Sequence, residues 1–377
     1  MRIGKRRISK RLVLIVAPVV LLLGGASAAF AANGISFTDI SGNTHEQSII
    51  TMADRGITVG FPDGTFRPDQ PVTRGQMMTF LDRADSCTDC HVEGSLITGK
   101  ETAWAESVHG TGEAYARGTS ASCAGCHSGG GFSMMVAAGQ DPGEVTAGDP
   151  DPTRQDCRAC HQIHKTYTGT DWALETTAPV ALYAIAGSTY DGGKGNLCAT
   201  CHQPRRGFPD AVDGMITGIS SHWGPHHGPQ SGMLLGVAGA GALGTPSSHY
   251  TLVGDTCVSC HLGSGDNHTF EPDEAACVSC HPDAEDFDIN GVQTETQARL
   301  DELGDLLVAA GVLSENSEDG HPVEIPPLAA DETWGLPVGV ATALYNWIYI
   351  AHEDKSLGVH NPAYTEALLD AAFAALE

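Results

Sequence analysis

All twelve cysteines of this 377-residue chain fall into six frames of one form, two cysteines three apart with a histidine directly after the second. The frames are Cys87-Thr-Asp-Cys90-His91, Cys123-Ala-Gly-Cys126-His127, Cys157-Arg-Ala-Cys160-His161, Cys198-Ala-Thr-Cys201-His202, Cys257-Val-Ser-Cys260-His261 and Cys277-Val-Ser-Cys280-His281. Composition alone would give on the order of 0.02 such frames, and the pattern is that of covalent haem attachment. The spacing has a chemical reason. In one helical turn, residues i, i+3 and i+4 share a face, so two thiols can each add to a porphyrin vinyl group while the histidine meets the iron. Zinc is the competing reading, since Cys-x-x-Cys pairs also build zinc ribbons. Zinc needs four ligands from two such pairs and does not explain a histidine after every second cysteine. A disulfide framework, the usual role of many cysteines in an exported chain, does not explain it either. The frames therefore predict six covalently bound haem c groups, with His91, His127, His161, His202, His261 and His281 as the first iron ligands.

Each iron has a second axial position, and eleven histidines lie outside the frames. His164 follows His161 by three residues, a spacing that can aim one ring at its own haem and the next at a neighbour. His109 sits in Ser107-Val-His-Gly ahead of the second frame, and His249 and His268 precede the fifth and sixth. One of His226 and His227, in the stretch Ser221-His-Trp-Gly-Pro-His-His-Gly-Pro229, is expected to ligate, and His360 lies in Gly358-Val-His-Asn-Pro362. These are six candidates for six irons. His222 and His352 are held in reserve, and His45 and His321 are expected bystanders.

The elements that must position these groups are short. Successive motif histidines are separated by 36, 34, 41, 59 and 20 residues, room for one turn or helix plus a loop per frame and for little regular sheet. A mainly α fold with extensive loops is expected, held together by its cofactors. Only 6% of residues are aromatic, so haem is expected to stand in for a large aromatic core. Beyond His281 the chain turns helical: Leu300, Leu303, Leu306 and Leu307 mark an amphipathic stripe over about 294–312. A Pro-rich connector then leads to helices over about 337–354 and 364–376. The bland use of these stripes, packing against the haem core or a partner subunit, is the expected one.

The frames, with the tail Glu353-Asp-Lys-Ser-Leu-Gly-Val-His360-Asn-Pro362, resemble the multihaem c-type cytochromes of respiratory and extracellular electron-transfer chains over residues 87–377. The resemblance implies a haem-dominated core over 87–290. It also implies a helical region, 291–377, that packs on that core and supplies an iron ligand from the tail.

The stretch ahead of the first frame has another character. Thr44-His-Glu-Gln47 reads as a helix start, followed by apolar Ile49, Ile50 and Ala53 and a terminating Gly56. The turn-rich Gly60-Phe-Pro-Asp-Gly-Thr-Phe-Arg-Pro68 follows. Thr73-Arg-Gly-Gln76 then opens a second helix with a capping box, and Met77, Phe80 and Leu81 are its expected buried stripe. Residues 34–84 resemble a single S-layer homology module. That resemblance implies attachment to anionic cell-wall polysaccharide with Arg74 in the binding groove. Two departures from the family are Gln76 in place of its usual glutamate and one copy where three commonly complete a binding unit.

Residues 1–31 read as a signal peptide: a basic start, the apolar run Leu12 to Leu23 and the small-residue site Ala29-Phe-Ala31. The apolar run is short of the ~20 residues that span a bilayer. Cleavage leaves 14 basic against 46 acidic residues, a net charge of −32. That balance argues against nucleic acid and anionic membrane surfaces as partners. The function expected is an exported, cell-wall or cell-surface cytochrome that relays electrons to other multihaem cytochromes or extracellular acceptors, with a homo-oligomer as one form it could take. The alternative is a multihaem reductase of nitrite, hydroxylamine or a sulfur oxyanion, which needs one iron with an open axial position. Six regular frames and enough spare histidines favour electron transfer.

Overall fold

The computed structural model describes residues 37–54, 57–81, 96–166, 169–220, 222–226, 228–263, 267–315, 322–324 and 332–377. The expected signal peptide, the first frame (Cys87, Cys90 and His91), Gly56, His227 and His321 lie outside the described residues. The chain forms two compact units, one ending at Phe80 and one beginning at Leu81. Its described residues are mainly helical with long loops, and among them no helix is long and apolar enough to cross a membrane.

In the first unit the helix Glu46–Asp54 buries Ile49 and Ala53 against Phe37 and Ile40, with Ile50 and Phe66 packed alongside. It starts one residue later than an N-cap at Thr44 would place it. Asn43 Oδ1 accepts the His45 N–H at 2.8 Å and Glu46 Oε2 accepts the Gly42 N–H at 2.8 Å, so this pair closes the helix start. The following loop is tied back by Asp39, whose two carboxylate oxygens accept the N–H groups of Phe66 and Arg67 at 2.8 and 2.7 Å. Gly60 sits at φ +67° with the Phe37 ring against its α-carbon, so it must be glycine on both counts.

The second helix, beginning at residue 74, has the expected capping box: Thr73 N–H donates to Gln76 Oε1 at 2.9 Å, and Gln76 N–H donates to Thr73 Oγ1 at 3.2 Å. The expected buried stripe is corrected. Met77 and Leu81 are 48% and 53% exposed, and Phe80 is only half-buried. Phe37, Ile40, Ile49 and Ala53 already fill this small core, which leaves the apolar face of the second helix at the surface.

In the second unit each described frame closes one helical turn. The helices Ala121–His127, Cys157–Cys160, Gly195–Ala199 and Cys257–His261 carry four of them. Across the frames, His161, His202 and His281 each donate their N–H to the carbonyl of the first frame cysteine at 2.8 Å. Among the described residues sheet is confined to three two-stranded antiparallel pairs, the longest joining Met215–Ile219 to Trp334–Pro337.

The C-terminal helices Val292–Ala309, Val338–Ile348 and Pro362–Ala374 share a core with the segment between the fourth and fifth frames. Ile216, Ile219, Trp223, Met233 and Ala240 from that segment pack with Leu300, Leu303, Leu307, Tyr345, Trp347, Tyr349 and Tyr364. Polar side chains lock the contact. Asn346 accepts the Ala240 N–H at 2.8 Å and donates to the carbonyls of Ala240 and Leu368, both at 2.9 Å. Trp347 Nε1 donates to Leu300 O at 2.9 Å. The expectation that haem would replace an aromatic core is thus corrected for this region: the aromatic residues are few but gathered in one place. Leu306 also departs from the expected stripe and is 44% exposed, because at 100° per residue it falls off the face shared by Leu300, Leu303 and Leu307. The helix Val338–Ile348 runs on through a π-helical turn, Tyr349–Asp354, which shifts the last residues, among them Asp354, relative to the helix face.

Candidate functional site

The second frame lies in a helix flanked by Ser120 and Ser128, and the Cys126 carbonyl accepts Gln155 Nε2 at 2.7 Å. His127 faces His226, with ring centroids 6.1 Å apart. A cleft opens here, lined by Cys123, Cys126, His127, His226, Tyr183 and Arg205 among others. His226 adopts φ +80° and its Nε2 is buried.

The other described frames repeat the arrangement. His161 faces His268 at 6.3 Å, His202 faces His109 at 6.1 Å, His261 faces His360 at 6.3 Å and His281 faces His249 at 6.4 Å. Two imidazoles that share one metal, with bonds of about 2.0 Å and about 1.1 Å from nitrogen to ring centre, would stand about 6.2 Å apart. The other ring pairs of the second unit spread more widely, from 4.9 Å for His109–Phe270 and 5.0 Å for Tyr190–Tyr250 to 6.1 Å for Phe208–Trp223 and His161–Trp172. The interplanar angles of the histidine pairs meanwhile range from 23° to 75°. What is held constant is the gap, not the angle.

Ring orientation is set from the far nitrogen. Nδ1 of His161 hydrogen-bonds Trp172 O at 2.7 Å, that of His249 bonds Val359 O at 2.7 Å, and that of His261 bonds Phe270 O at 2.8 Å. Nδ1 of His202 bonds Gln230 Oε1 at 3.0 Å, and that of His360 bonds the Asp354 carboxylate at 2.8 Å. A proton held on Nδ1 leaves Nε2 as the ligating lone pair, the usual arrangement of metal-bound histidine. Gly228, at φ +82°, lies so close to His202 that a β-carbon would stand 2.9 Å from Nδ1. Burial, helped by the nearby His202, pushes His109 down to about 4, so it is a neutral imidazole at physiological pH. Burial also lowers His261, against the pull of the Phe270 carbonyl. For His360, burial acts downward, but the Asp354 charge and hydrogen bond outweigh it and leave the ring above its ordinary value. Paired thiols and a near-constant ring gap at the five described frames, with a cleft at the second and Nδ1 acceptors at the other four, fit haem c.

The facing rings reach their positions from separate elements. Ser107 caps the short helix Val108–Thr111 that carries His109, accepting the Gly110 N–H at 3.1 Å. Ser247 caps Ser248–Leu252, which carries His249. His360 is held by its N–H to Ser356 Oγ at 3.1 Å. His164 sits in a left-handed conformation at φ +64° three residues after His161, and His91 of the first frame lies outside the described residues. Of the reserves, His222 is exposed and His352 packs on Trp347 at 5.1 Å. His45 and Arg74 are exposed on the first unit.

Thiols reach neighbouring frames. Cys201 Sγ lies 3.9 Å from Gly125 O inside the second frame, and Cys257 Sγ lies 4.0 Å from Gly195 O on the helix of the fourth. The fourth frame therefore adjoins both the second and the fifth. Phe270 links further sites: its ring lies 4.9 Å from His109 and 5.8 Å from His268, and its carbonyl holds His261. Neither Phe270 nor Asp354 nor Gln230 carries a signal in the sequence that marks it as part of a haem site.

Comparison with known proteins adds two findings. Residues 36–78 match the S-layer homology domain family. Among solved structures the chain is similar to the outer cell wall cytochrome OcwA, at 23% identity and a TM-score of 0.45, over 74% of this chain and 50% of that one. The chain thus spans half the length of that structure. No curated protein matches it.

Proposed function

We propose that this chain is an exported, wall-attached hexahaem c-type cytochrome that relays electrons along or across the cell envelope to partner cytochromes or extracellular acceptors. The observation that carries the reading is the set of five motif histidines, each with a second histidine ring 6.1 to 6.4 Å away. His164 and His91 remain for the first frame, which completes six pairs. Haem c, when bound, supplies an iron that gains and loses one electron. The chain does the rest. Its twelve thiols would fix the porphyrins and its histidine pairs would hold the irons. Its Nδ1 acceptors hold the rings still, so little reorganisation accompanies a change of oxidation state. In each described pair the second ring sits where a reductase would bind its substrate, which favours relay over turnover. The adjoining second, fourth and fifth frames, and the contacts of Phe270, support closely spaced sites suited to transfer between them. The module over 36–78 supports attachment to the wall, with Arg74 as the expected polymer contact.

Three measurements test this. Intact mass under denaturing conditions should exceed the mature polypeptide by six haem masses. Low-temperature electron paramagnetic resonance of the oxidised protein should show low-spin iron throughout. A high-spin signal that shifts on adding nitrite or hydroxylamine would favour the reductase instead. Arg74→Ala should lower the fraction that co-sediments with cell wall; unchanged retention would remove the anchoring role.

A further inference from the structure

Of the five ring nitrogens whose acceptors are described above, four bond to uncharged oxygens: the carbonyls of Trp172, Val359 and Phe270 and the amide of Gln230. The fifth is different. His360 Nδ1 lies 2.8 Å from Asp354 Oδ1, and the Asp354 side chain has no exposed surface. The carboxylate is built in from several directions. Its second oxygen accepts Ser356 Oγ–H at 2.5 Å and the Ser356 N–H at 3.3 Å. The backbone carbonyls of Glu353 and Asp354 accept Gln230 Nε2 at 3.1 and 3.3 Å, and Gln230 Oε1 in turn orients His202. The π-helical turn that ends Val338–Ile348 presents Asp354 at this point.

A charged acceptor makes an imidazole a stronger electron donor through its other nitrogen, and hydrogen bonding to axial ligands is one of the levers by which a protein sets a haem potential. Burial keeps the carboxylate charge unscreened. We propose that Asp354 is a redox-tuning residue: by charging the acceptor of His360, it holds the iron at the fifth frame at a lower potential than a neutral acceptor would give. Among the five ring acceptors described, this one alone is charged, although all frames are alike in sequence. The step concerned is one electron onto iron, with no bond made or broken and the Nδ1 proton retained between His360 and Asp354. The proposal rests on the reading of His360 as an iron ligand.

The test is spectroelectrochemical titration of the full-length, haem-loaded protein and of Asp354→Asn, which keeps the shape and removes the charge. One of the six one-electron waves should move to higher potential by at least tenfold in its equilibrium constant, 59 mV for one electron, with all six sites still low-spin. Ser356→Ala removes the hydroxyl that draws charge from the carboxylate and should move the same wave the other way, which keeps the test decisive if Asn at 354 prevents haem loading. His360→Ala separates the two levels of the argument. If it creates a high-spin site while neither substitution moves a wave, Asp354 has no tuning role. If it leaves every site low-spin, His360 is not a ligand and the underlying assignment falls.

Discussion

The carbonyl of Val359 accepts a hydrogen bond from Nδ1 of His249 at 2.7 Å, across 110 residues of chain. The next residue, His360, turns its ring toward His261. Two adjacent tail residues thus serve two sites, orienting the ring opposite the sixth frame and facing the fifth. The tail is held in register by Asn361, which caps the last helix and donates to the carbonyls of Met233 and Thr245, both at 3.0 Å.

His360→Ala should convert one haem to a high-spin or water-ligated form and leave the others low-spin, as read by electron paramagnetic resonance. A point substitution is needed. Truncation after Asp354 would also remove Tyr364, Leu368, Leu369 and Ala372, all buried in the C-terminal core, and would unfold more than one ligand.

Phe270→Ala removes a ring that touches both His109 and His268. The expected outcome is a change in two low-spin signals, those of the third and fourth frames, without loss of haem mass. A change in one signal alone would show that the ring does not bridge these sites.

Leu303→Ala should destabilise the second unit by about 2–5 kcal/mol, the usual range for a buried leucine whose site cannot collapse. Leu303 has no exposed surface and lies in the aromatic core, away from the frames. Urea unfolding followed by far-ultraviolet circular dichroism measures the shift, and the low-spin spectrum in native buffer should stay as in the parent.

The loop of the first unit should loosen in acid. The hydroxyl of Thr65, then Arg67, hold Asp63 down to about 2, and the Phe66 N–H lowers Asp39. Both carboxyls are lowered in the folded state, so the unfolded chain binds protons first as pH falls. The stabilisation is therefore complete above the ordinary carboxyl value, near about pH 4, and is lost toward pH 2. Hydrogen exchange in residues 60–68, corrected for intrinsic rates, should rise over that window. In Asp63→Asn the rise should be smaller.

The sequence by itself determined the chemistry and its local form. The Cys-x-x-Cys-His frames each call for one helical turn, because the i, i+3, i+4 relation is satisfied within five residues, and the five described frames close it. The Thr73–Gln76 capping box and the short helices were legible for the same reason. Only the tertiary structure decided which histidine faces which: His109 passes over the frame nearest to it and meets His202, while His127 meets His226 and His161 meets His268. It also decided that the long interval between the fourth and fifth frames joins the C-terminal helices in one core, and that a carboxylate stands behind His360 alone among the five acceptors described. Local spacing cannot encode such choices. The cost of closing a loop rises only slowly with its length, so a ring 30 residues away has little advantage over one 100 away, and the packing of whole segments decides between them.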